Sequence, residues 1–124
     1  MVRAIILVAI GGGIGSALRY LTSVFVGKYF HTLFPLATFI ANILGCLIIG
    51  FLFGLFERYN QTNYDLRSLF ITGFCGGYTT FSAFASENVN LFQSGHHLMA
   101  LAYVAASVLV GSLAVWFGMM CARL

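Results

Sequence analysis

A chain of 124 residues that is 60% hydrophobic and only 7% charged, with a mean hydropathy of +0.96, cannot hide its apolar surface in a soluble fold of that size. Composition therefore places it in a lipid bilayer as one integral membrane domain, and a net charge of +3 drawn from so few groups gives no footing for a nucleic-acid partner. Catalysis is disfavoured too, because the sparse polar residues include no carboxylate pair, no Ser-His-Asp set and no metal-binding cluster.

From Ala4 to Leu18 nothing is charged, and if Arg19 is tolerated the apolar stretch reaches Val26, so residues 4–26 make a first spanning helix. No cleavage-site pattern follows it, which argues against a removable signal peptide. Gly11 and Gly15 form a GxxxG pair suited to close approach of another helix. The string Gly11-x-Gly13-x-x-Ser16 touches a dinucleotide-binding fingerprint, but it has neither the preceding strand nor the third glycine. Arg19 is costly in or near the hydrocarbon core: either it snorkels to the interface, or it makes an electropositive vestibule that draws in anions.

Lys28, His31 and the sole proline, Pro35, mark a connection, after which residues 34–56 form a second uncharged span with Pro35 in its first turn. Thr38, Asn42 and Gly45 give this helix one polar, small face. Asn42 must hydrogen-bond something, as glue between helices or as part of a hydrophilic pathway. Gly50 and Gly54 form another GxxxG. An aqueous loop follows, with Glu57, Arg58, Asp65 and Arg67 clustered around Asn60 to Asn63.

The third span, residues 68–92, carries the stretch GFCGGYTTFSAF (73–84). Two adjacent glycines cost roughly 1 kcal/mol each inside a helix and permit positive φ, so the chain is expected to unwind at Gly76 and Gly77, with Thr79 and Thr80 satisfying freed backbone groups. Non-helical backbone at membrane depth lines a cavity or is buried in protein, and half-helix ends there are favoured ion sites. The alternative is a plain glycine contact patch. Phe81, Phe84 and Asn88 then recur at helical spacing, with Ser82 and Glu87 beside them. Two phenylalanines on one face ordinarily pack, but these follow the break directly. Glu87, near its helix end, reads as a solvated carboxylate.

His96 and His97 open the last span, residues 98–122, in which Tyr103, Ser107 and Gly111 make a thin polar stripe. Cys46, Cys75 and Cys121 have no paired or metal-like spacing and read as buried free thiols. Four spans put both termini on one side, where Arg3, Arg58, Arg67 and Arg123 stand against Lys28 opposite. That bias favours cytoplasmic termini, though so few charges also allow insertion both ways. Four such helices are too few to enclose a polar pathway, and their glycine faces invite a partner, so an obligate oligomer is expected. Transport or conduction remains as the function.

Over nearly its full length the chain resembles the Fluc (CrcB) family of fluoride channels, through GGGIGSALRY (11–20), TFIANILGCLIIG (38–50) and above all GFCGGYTTFSAF (73–84). The resemblance implies an all-α integral membrane protein of four transmembrane helices, the third broken, assembled as an antiparallel dual-topology homodimer. It implies a fluoride-selective channel in the bacterial plasma (inner) membrane, a multi-pass protein that exports fluoride from the cytoplasm by passive conduction through two pores and relieves its toxicity. It also implies a structural Na⁺ on the two-fold axis, held by backbone carbonyls of Gly76 and Thr79 from each subunit. Asn42, Phe81 and Phe84 match the family's pathway residues; Tyr103 and Ser107 match its last-helix stripe, and Ser82 and Thr38 add hydroxyls. Ala37, Cys46 and Ala83 depart from the usual residues, and Ala83 removes a hydroxyl beside the phenylalanines. Two other readings stand beside this one. A small multidrug-resistance type antiporter is also short, four-helical and dimeric, but needs a carboxylate in its first helix, which has none. A non-conducting membrane assembly subunit would use the glycine faces and leave Asn42 and the threonines without purpose.

Overall fold

In the computed structural model, which describes residues 1–124, every regular element is a helix. α1 (Val2–Tyr29), α2 (Leu36–Arg58) and α5 (His97–Arg123) are each long and apolar enough to cross a membrane unaided. The remaining crossing comes in two pieces. α3 runs without interruption through Tyr64–Leu66, a π-helical stretch Arg67–Cys75 and a last α-helical turn Gly76–Tyr78; α4 covers Phe81–Gln93. Asn63 starts α3, its Oδ1 accepting from the backbone N–H groups of Asp65 and Leu66 at 3.0 and 3.4 Å. Gly95, at φ +80°, turns the chain from α4 into α5 in a conformation that costs a glycine nothing.

The break exists, but it lies two residues beyond the glycines expected to make it. Gly76 keeps helical angles (φ −63°, ψ −34°), whereas Thr79 (−84°, 156°) and Thr80 (−150°, 118°) are extended. β-branched side chains favour that backbone region, and each threonine supplies the hydrogen bond that the lost turn gives up. The Thr79 hydroxyl donates to the Cys75 carbonyl at 2.8 Å, and the Thr80 hydroxyl caps α4 by accepting from the Ala83 N–H at 3.2 Å. Gly77 serves contact instead: a Cβ there would run into the carbonyl oxygen of Gly12. The two ideas weighed for this segment are thus both realised, on different residues.

The GxxxG pairs are likewise spent inside the subunit rather than offered to a partner. A Cβ on Gly11 would meet the Leu69 carbonyl, and one on Gly15 the Phe74 carbonyl, so these glycines seat α1 on α3. Gly50 and Gly54 lie against the Val115 and Met119 carbonyls, and Gly118 against that of Leu47, which seats α2 on α5. The molecule is built from these two close pairs, with van der Waals contact between backbones replacing the hydrophobic drive that lipid abolishes.

Three polar contacts gather the chain ends on one face. Arg3 pairs with Asp65 at 2.9 Å, Arg123 with Glu57 at 2.6 Å, and the Arg58 guanidinium donates to the Ala122 carbonyl at 3.2 Å. Exposed pairs of this kind add at most about 1 kcal/mol each. Their information is topological: both termini and the α2–α3 loop share one side, as four crossings require. Behind the other end, Leu91, Ala100 and Tyr103 form a small core with Phe34, Phe39, Phe84 and Met99 packed around it.

Candidate functional site: the broken helix and its groove

A break in the membrane leaves helix ends whose backbone groups must be accounted for one by one. Asn42, reaching across from α2, takes both backbone groups of Thr80: its Nδ2 donates to the Thr80 carbonyl at 3.1 Å and its Oδ1 accepts the Thr80 N–H at 2.8 Å. Glue and pathway are combined here, because the amide that clamps the break also lines the open groove beside it. On the far side of α3 the Gly77 carbonyl accepts from Arg19 Nε at 3.1 Å and from Ser16 Oγ at 3.4 Å. Arg19 therefore does not snorkel. It braces the C-terminal end of α3, where helix carbonyls concentrate negative charge. The carbonyl oxygens of Gly76 and Thr79 accept no hydrogen bond from anything in the chain, and they remain open to an outside ligand.

Those two residues face a groove of about 470 Å³ between α2, α3, α4 and α5. Asn42, Phe81, Phe84 and Ser107 also line it, so six of the residues singled out in the sequence share one surface. The Phe81 and Phe84 rings stand 5.7 Å apart between centroids with their planes 43° askew. Phe84 packs on Tyr103 at 5.0 Å, while Phe81 is 79% exposed in the isolated chain. Apart from its contact with Phe84, the Phe81 ring leaves most of its apolar surface uncovered beside the open groove. At the same place α4 begins, and the first N–H groups of a helix carry partial positive charge. One wall of the groove thus holds Gly76 and Thr79, whose carbonyls have no donor in the chain, and the adjoining one holds the start of α4 with its two rings.

Four expected site residues fall outside this groove. Ser82 turns away and meets the Thr80 hydroxyl at 3.2 Å, and Arg19 stands behind the break as described. Thr38 and Tyr103 instead converge on Glu87. The Thr38 hydroxyl donates to Oε1 at 2.5 Å and the Tyr103 hydroxyl to Oε2 at 2.8 Å, tying α2, α4 and α5 through one carboxylate. Tyr103 is fully buried and Thr38 nearly so. Glu87 is hence not the solvated carboxylate expected from its position, because the polar faces of its two neighbours close over it. A signal was available: with Glu57 and Asp65 in the loop, it is the one acidic residue inside a span, and such residues are paired or functional by rule. Deeper in the same bundle, the Asn88 amide donates to the Phe84 carbonyl at 2.9 Å.

Comparison with known proteins bears on this site. The family model described as CrcB-like protein, Camphor Resistance (CrcB), matches residues 6–119. A protein of Flavobacterium psychrophilum named "Fluoride-specific ion channel FluC" is 50% identical over 121 residues, covering 98% of both chains. Proteins of the same name from Azobacteroides pseudotrichonymphae and Azotobacter vinelandii are 43% and 40% identical; they cover 95% and 100% of this chain and 94% and 100% of their own lengths. Both the groove and the broken helix fall inside the matched region, and the chain is a multi-pass membrane protein of the CrcB family.

Proposed function

We propose that this protein is a fluoride-selective channel, conducting fluoride passively out of the cytoplasm across the bacterial plasma (inner) membrane and so relieving its toxicity. The observation that carries the proposal is the groove: Phe81, Phe84, Asn42 and Ser107 stand together beside the start of α4, within a chain whose relatives bear the name of fluoride channels. Fluoride is small and tightly hydrated. A route that strips its water must return comparable interactions without a fixed charge that would trap it. Ring rims carry the positive end of the aromatic quadrupole and attract an anion weakly, while the free Nδ2 hydrogen of Asn42 and the Ser107 hydroxyl donate hydrogen bonds. Arg19 draws anions toward the break through the guanidinium nitrogens that hold no carbonyl. The Thr38 and Tyr103 hydroxyls are committed to Glu87 and Ser82 to Thr80, so the route rests on Asn42, Ser107 and the two rings.

An open groove and an exposed Phe81 call for a second copy of the chain, and the proposed assembly is an antiparallel, dual-topology homodimer with two pores. Its central structural Na⁺ would be held by the Gly76 and Thr79 carbonyls of each subunit, four oxygens in all. The donor set fits: these are hard oxygen ligands that the chain leaves without a hydrogen-bond donor, and Gly76 has no atom near where a side chain would stand. Such an ion would join two carbonyl-rich helix ends that otherwise repel. The test is efflux from liposomes loaded with fluoride and, in parallel, with chloride. Rapid fluoride efflux with chloride retained is expected, and equal loss of both would refute fluoride selectivity.

A further inference from the structure

Two thiols that the proposed ion route leaves unused line the groove. Antiparallel packing of α2 on α3 sets their register. Asn42 is bonded to Thr80, a Cβ on Gly45 would strike the Thr79 methyl, and Ile49 shares the groove wall with Ile71 and Thr72. Cys46 and Cys75 both fall between those pairs, at one level across the seam. Both line the groove. Cys75 is 2% exposed, and Cys46 has its sulfur opposite Gly111, which has no side chain to crowd it. Both are free thiols.

We propose that Cys46 and Cys75 form a site for one soft, two-coordinate cation of the Hg²⁺, Ag⁺ or Cu⁺ class, held between the two sulfurs in the groove wall. For Hg²⁺ the balance is simple: two S–H bonds break, two S–Hg bonds form, two protons leave to water, and nothing is oxidised or reduced. The product is neutral, so binding places no net charge in a low-dielectric wall. Thiolates select soft metals, whereas a hard cation is served by the oxygen groups elsewhere in the groove. Binding is independent of what the groove carries. Obstruction of fluoride flow rests on the function proposed above, because the same wall holds Thr79 and Phe84.

The test titrates HgCl₂ into the purified protein while counting free thiols with a maleimide and bound metal by native mass spectrometry. The first equivalent is expected to add one mercury per chain and remove two of its three thiols. Cys46→Ser or Cys75→Ser should lower affinity about 100-fold, since the second thiol acts at high effective concentration; Cys121→Ser should leave it unchanged. Loss of only one thiol per mercury, which the wild-type count reads even if a variant misfolds, would overturn the site, as would full affinity in Cys46→Ser. In liposomes that first equivalent should abolish fluoride efflux in the wild type and spare Cys46→Ser. Mercury held by two thiols with efflux undiminished would overturn the obstruction, whereas absent efflux before any metal is added would count against the proposed channel and not against the site.

Discussion

Glu87 sits where a carboxylate is costly, and two hydroxyl donors from separate helices make it tolerable. Taking one away should leave a partly buried oxygen unpaired, at about 1 kcal/mol or more. Tyr103→Phe, which removes a single atom from a fully buried ring, is therefore expected to lower the thermal midpoint in detergent, and Thr38→Val to do the same from the other oxygen. An unchanged midpoint in both would show that the carboxylate finds other partners. Phe81 and Phe84 carry the complementary expectation for flow. Replacing either with Ile keeps apolar bulk and removes a ring-edge interaction worth ~0.5–1.5 kcal/mol, so fluoride efflux should fall roughly two- to tenfold while the elution profile stays that of the wild type. If the rings only pack, both folded variants will conduct normally. The aromatic pair was legible from its i, i+3 spacing after the break. The fate of Glu87 was not, because its burial depends on Thr38, forty-nine positions away, closing over it.

At the scale of the helix, the two adjacent glycines of α3 have opposite surroundings, which makes them separable. A Cβ on Gly77 would collide with the Gly12 carbonyl, but one on Gly76 would meet nothing within 4 Å. Gly77→Val is expected to force α1 from α3 and abolish folded protein. Gly76→Val should yield a folded subunit that no longer assembles, read by size-exclusion chromatography and circular dichroism. A Gly76→Val protein that folds and assembles as the wild type does would mean that Gly76 faces lipid rather than a partner. Arg19→Met removes the donor from the Gly77 carbonyl and should destabilise the end of α3, whereas Arg19→Lys, with a point charge in place of the planar fork, should recover part of the loss. A thermal midpoint unmoved by Arg19→Met would reduce Arg19 to an anion attractor. That a break would occur could be read from Gly-Gly-x-Thr-Thr. Its position could not, since helix angles at Gly77 are held by the contact with Gly12 while the threonines supply their own substitutes for lost backbone bonds.

For the whole molecule, the expected antiparallel dimer can be checked with a single cysteine at Asn63, in the exposed α2–α3 loop, on a background whose own cysteines have been replaced. Subunits facing opposite ways should place the labelled loops of one dimer on both sides of the membrane, and labelling from one side alone would refute dual topology. Removing Na⁺ in favour of a large organic cation should lower the dimer's thermal midpoint. Thr79→Ser, which preserves the backbone carbonyl, should behave nearly as the wild type.

The sequence alone determined that the protein lives in a bilayer, that it crosses four times, and that its third crossing is interrupted. Each of these is a property of consecutive residues: apolar run length against bilayer thickness, and local backbone preference. Only the tertiary structure decided which glycines are consumed by the seams α1–α3 and α2–α5, which carbonyls of the break are left without a donor, and which polar side chains enter the groove rather than close over Glu87. Those outcomes depend on which helix lies against which. In lipid that choice is governed by backbone contact and polar pairing across dozens of residues, quantities that no stretch of sequence contains.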